Sequence, residues 1–93
     1  MPVVPSESTS QEISDRIDRL RMKYARDPLV KRIDHLIGAD WSGDPAVFIY
    51  VMLPGAEIAP AELHRLAENI RADLLHLVRT DEIGLHSYLN FLN

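Results

Sequence analysis

Apolar positions in the first third of the chain fall at Ile13, Ile17, Leu20 and Tyr24, spaced by four, three and four. That spacing places them in one narrow stripe on a helix. Thr9-Ser10-Gln11-Glu12 fits a capping box at its start, with a hydroxyl and a carboxylate each able to satisfy an orphan amide. Glu12 with Arg16 and Asp15 with Arg19 stand four apart in the favourable acid-first order. Asp27-Pro28 should stop the helix, because proline disfavours helical geometry in the residue before it.

The rhythm then changes. Ala46 to Leu53 is an unbroken apolar run, rich in β-branched and aromatic residues and bounded by Asp40–Pro45 and Pro54-Gly55. It predicts a strand in the middle of a sheet. Alternation gives that strand two unlike faces: Val47, Ile49, Val51 and Leu53 on one, Phe48, Tyr50 and Met52 on the other. Residues 29–38 fit either a short helix ending at Gly38 or the first arm of a hairpin, and the strand is preferred. A long strand needs an antiparallel neighbour, and the intervening loop has the right length. Pro60 opens a second helix with a 3.6-residue stripe at Leu63, Leu66, Ala67, Ile70, Leu74 and Leu77, widened by Leu75 and Val78. It should end near Arg79-Thr80, with Gly84 as punctuation. Leu85 to Leu92 alternates as a half-buried strand.

The expected fold is therefore α+β, in the order α-β-β-α-β: a two-layer sandwich with two helices on one face of a three-stranded mixed sheet. Strand 46–53 pairs antiparallel with 32–39 and, through a right-handed crossover, parallel with 85–92. Residues 1–8, with two prolines and no period, are expected to be a disordered tail, and 9–93 a single domain.

This fold leaves the second sheet face uncovered. Phe48, Tyr50 and Met52 should lie there, joined by Tyr88 and His86 if register allows. Burying three such side chains contributes about 5–8 kcal/mol before association costs, and a patch of this kind marks a binding surface. The favoured expectation is a non-enzymatic interaction module that is self-associating or bound to a partner protein. Trp41, at the tip of the 40–45 turn, either packs over a helix end, the preferred reading, or anchors a partner.

Charge modifies this picture. The net charge is −4, but residues 16–32 carry a local balance of +5, and residues 33–93 one of −6. Arg16, Arg19, Arg21, Lys23 and Arg26 form a basic cluster, which supports an alternative: a small nucleic-acid-binding protein using the first helix. The acidic total weakens phosphate attraction.

Other chemistries find little support. The chain has no cysteine, which excludes disulfides and thiolate metal sites, and a cytoplasmic location is expected. No serine sits in a nucleophile elbow and no glycine-rich loop precedes a helix, so no catalytic residue, cofactor or metal is assigned. His64 and His76 are about 18 Å apart along one helix, too far to share an ion. His35 and His86 could meet only if both point to the open face. Asp40-Trp41-Ser42-Gly43-Asp44 has the opening spacing of a calcium loop, but Pro45 and Val51 stand where the glycine and bidentate acid belong. It reads better as a turn, with Gly43 at positive φ.

Two resemblances follow. Pro60-Ala61-Glu62-Leu63-His64-Arg65-Leu66-Ala67-Glu68-Asn69-Ile70 and the strand from Val47 to Leu53 resemble the cytoplasmic dimerisation domain of cation diffusion facilitator transporters. That likeness implies the architecture and a sheet-mediated dimer. It does not extend to transport or metal sensing, since no transmembrane half lies in these residues and the Asp40–Pro45 turn departs from that family. Gly38-Ala39-Asp40-Trp41-Ser42-Gly43-Asp44-Pro45-Ala46 is similar to a segment of small bacterial proteins made beside a second helical protein, which implies an antitoxin-like accessory subunit.

Overall fold

A computed structural model describes residues 7–55 and 57–93. Helix α1 (Glu7–Tyr24) leads into strands β1 (Arg32–Ala39) and β2 (Pro45–Met52). Helix α2 (Pro60–Asp73) then continues through a widened π turn, Leu74–Val78, and a 3-10 turn, Thr80–Ile83, into β3 (His86–Leu92). The sheet order is β1-β2-β3, antiparallel between β1 and β2 and parallel between β2 and β3. The α-β-β-α-β order and the three-stranded mixed sheet agree with the periodicity.

The capping box at Thr9 does not form the helix start. α1 already includes Glu7 and Ser8, so Thr9 is an interior residue; the remainder of the expected tail, residues 1–6, lies outside the described residues. Glu12–Arg16 pairs as expected, at 2.7 Å. Asp15 instead accepts a bond from Gln11. On α2 the stripe is narrower than expected: Val78 is buried, whereas Leu75 is 59% exposed. The π turn shifts the face by an extra residue, and Arg79 closes it in left-handed geometry at φ 55°.

The core joins α1 (Ile13, Ile17, Leu20, Tyr24) and the α2 arm (Leu66, Ile70, Leu74, Val78) to Ile33, Val47, Ile49 and Val51 of the sheet. Residues of β2 facing the helices are fully buried, while Phe48, Tyr50 and Met52 on the reverse face are half-buried. The alternation of β2 thus separates a finished core from an unfinished surface.

Polar ties orient the helices. Asp73, buried on α2, accepts from the Tyr24 hydroxyl and from Lys23 Nζ, both at 2.5 Å. Burial first, and then this carboxylate, push the Tyr24 hydroxyl well above its ordinary range, so it remains a donor. Arg16 donates to the carbonyls of Val78 and Arg79 at 2.8 and 3.2 Å, which places a cation at the C-terminal end of the second helical arm. Arg21 donates through Nε to the Ile33 carbonyl of edge strand β1 and through a terminal nitrogen to His35 Nδ1.

His35 therefore points toward α1 and not toward the open face. A guanidinium can only donate, so Nδ1 must be the acceptor and Nε2–H donates to Ser14 Oγ at 3.3 Å. Burial, and next the Arg21 charge, hold His35 below the ordinary imidazole value. The unfolded chain then binds the extra proton more readily, and stability is lost as pH falls through the ordinary histidine range. The melting temperature of the native protein should accordingly drop more between pH 7.5 and 5 than that of His35→Gln, compared by calorimetry. Tyr24→Phe, which leaves buried Asp73 one donor short, should cost about 1–2 kcal/mol in urea unfolding.

Candidate functional site

The open face is built from alternate residues of all three strands. Register sets Leu36 beside Phe48 and Tyr88, Asp34 beside Tyr50 and Asn90, and Arg32 beside Met52 and Leu92. Phe48, Tyr50, Met52 and Tyr88 thus share one surface, and His86 occupies its rim beside Ala46. The rings of Phe48 and Tyr88 stack at 5.3 Å, with planes 19° apart.

Trp41 does not pack over a helix end. Its ring meets Tyr88 edge-on at 5.4 Å, yet the residue is 84% exposed. Asp40 directly follows β1 and is bonded to the Tyr88 hydroxyl, and the next residue, Trp41, lies against the Tyr88 ring. Leu36, 61% exposed, and Leu92 extend the patch. Leu92 falls on this side by the same alternation that places Tyr88. Leu36 was hidden from sequence reasoning because its strand had a competing helical reading.

Asp40 organises the turn. Its Oδ1 accepts from the amides of Ser42 and Asp44 at 2.9 and 3.1 Å, and its Oδ2 accepts from the Tyr88 hydroxyl at 2.8 Å. Gly43 takes φ 82°, as the turn demands. The Tyr88 bond, before the backbone amides, holds the Asp40 carboxyl below its ordinary value and raises the Tyr88 hydroxyl above its own. His86 Nε2 stands 3.8 Å from Asp44 Oδ2. Donor atoms of Asp40, Asp44 and His86 lie within 4.8 Å of one another, so these are the residues that could share a cation. Both Asp40 oxygens already accept hydrogen bonds, and the later ligands of a calcium loop are missing.

Ser14 and His35 are the nucleophile–base combination that the fold brings together here. The ring is oriented against that chemistry, since Arg21 on Nδ1 leaves the proton on Nε2, facing the hydroxyl. A base needs the opposite tautomer and an acceptor behind it.

The basic cluster is largely engaged within the chain. Arg16 holds Glu12 and the α2 arm, Arg21 holds Asp18, Ile33 and His35, and Lys23 holds Asp73. Arg19 and Arg26 are exposed and have no ion pair among the described residues. No described helix is long and apolar enough to cross a membrane. Comparison with protein-family models, curated proteins and solved structures gives no match.

Tyr88→Phe tests the turn's keystone. Without the hydroxyl, Asp40 should titrate closer to an ordinary aspartate by carboxyl-detected NMR. Trp41, the sole tryptophan, should show faster ring motion by fluorescence anisotropy.

Proposed function

We propose that the chain is a non-enzymatic protein-interaction module that works through the open face of its sheet, by self-association or by binding a partner protein. One observation carries this reading. The protein's own helices bury one side of β2 completely and leave Leu36, Phe48, Tyr50, Met52, Tyr88 and Trp41 gathered on the other. Stacked and edge-on rings give this surface a fixed shape, which lowers the ordering cost of binding. The likeness of the Gly38–Ala46 segment to bacterial accessory proteins favours an antitoxin-like subunit acting in the cytoplasm.

Nucleic-acid binding through α1 is the alternative, supported by exposed Arg19 and Arg26. It is the weaker reading, because phosphates would have to compete with the internal bonds of Arg16, Arg21 and Lys23. Retention of RNA or DNA at 20 mM salt, lost in Arg19→Glu/Arg26→Glu, would reverse that order.

The deciding variant is Tyr50→Glu. Burying an unpaired carboxylate in the middle of an interface costs several kcal/mol, so assembly should disappear while the melting temperature stays within a few degrees. Sedimentation velocity up to 500 μM reads self-association. If the native chain is monomeric there, a partner retained by it and not by Tyr50→Glu supports the reading. Full assembly by Tyr50→Glu, or no assembly and no such partner, overturns it.

A further inference from the structure

The open face is banded by charge along the strands. At the turn end stand Asp40 and Asp44 with His86 beside Asp44, and at the opposite end Arg32, with Lys31 just ahead of the strand; between them lie the apolar and aromatic residues together with Asn90 and with Asp34, which is ion-paired to Arg32. β1 carries both signs itself: Arg32 begins it, and Asp40 immediately follows its last residue. Eight residue steps at strand rise separate them by about 27 Å. Asp34 holds Arg32 through Nε only, and Lys31 is exposed.

Resting on the interaction reading above, we infer that the face is built for a second copy of this chain, packed sheet on sheet with its strands antiparallel to those of the first. A two-fold axis lying in the interface across the strands puts β1 over β1 and brings the Arg32 end of each copy, with Lys31 at its margin, over Asp40 and Asp44 of the other. Both ionic contacts then form by symmetry, as an isologous dimer requires. The other in-plane axis, parallel to the strands, sets acid on acid and base on base, so charge selects between them.

The β1 edge offers a poorer route. On β1 the outward Ile33 carbonyl is already taken by Arg21, whose guanidinium lies across the strand, and a charge so placed opposes edge-to-edge pairing. The face itself sets the strength of the dimer. Three strands about 4.8 Å apart and about 27 Å long give a footprint near 400 Å² per copy. Side-chain relief and Trp41 bring the total buried area to roughly 1,000 Å², at the low end for specific interfaces. The dimer should therefore be weak, with Kd on the order of 10–100 μM, and sensitive to salt because its ionic contacts sit at exposed rims.

Sedimentation equilibrium of the full chain, at 25 and 500 mM NaCl, should show a dimer that weakens about fivefold or more at high salt. Lys31→Glu/Arg32→Glu makes both ends acidic, and Ser42→Lys/Asp44→Lys makes both ends basic. Each variant alone should be monomeric, and an equimolar mixture should dimerise. Should either variant fail to fold, the sign of the native salt dependence still decides. A dimer that Tyr50→Glu abolishes but that ignores charge reversal, or tightens with salt, overturns this orientation and leaves the binding face standing. A monomer at 500 μM overturns the second copy as occupant. A dimer indifferent to Tyr50→Glu overturns the reading on which both rest.

Discussion

A strand has two faces, and a two-layer fold covers only one of them. In β2 Val47, Ile49 and Val51, directed toward the helices, are aliphatic and fully buried, so the hydrophobic effect fixes which side the helices take. The residues directed the other way are equally large and cannot follow, because the pleat sends successive side chains to opposite faces. Filling the core is thus what leaves Phe48, Tyr50 and Met52 at the surface. Both the compactness of the domain and the character of its open face depend on that single alternation.

Hydrophobic burial is non-directional, and the polar ties supply the direction. Asp73 draws Tyr24 and Lys23 against α2, Arg16 closes the end of the second helical arm, and Arg21 joins α1 to the edge of β1. These contacts also change the meaning of the basic residues. A cluster that looks in the sequence like a phosphate-binding stripe is largely spent on holding two helices to a sheet. The same economy governs His35, whose tautomer is dictated by a guanidinium and whose ring serves as a strut between α1 and β1.

The turn end of the open face is the most organised part of the surface. One carboxylate, Asp40, shapes the hairpin through two amides and reaches across to β3 through Tyr88. Tyr88 in turn stacks on Phe48 and supports Trp41. Aromatic groups on an exposed face would ordinarily be free to reorient. Here they are held by one another and by a charge-assisted bond, so the face presents a defined relief before any partner arrives.

Much of this was legible in the chain itself. The period of two in Ala46–Leu53 and Leu85–Leu92, and the period near 3.6 in the two helices, were sufficient for the element order, the central strand and the places of Phe48, Tyr50, Met52 and Tyr88 on the open face, because local geometry alone decides which residues share a side. The Asp40–Asp44 turn was legible for the same reason. The start of α1, the π turn that exposes Leu75, the inward aim of His35 and the seat of Trp41 on Tyr88 were not. Apart from the helix start, these involve atoms brought together from distant parts of the sequence: Ser14 and Arg21 around His35, Tyr88 beneath Trp41, Arg16 at the end of the second helical arm. Periodicity reports a residue's side of an element and carries no information about what stands opposite, and only the packed fold supplies that.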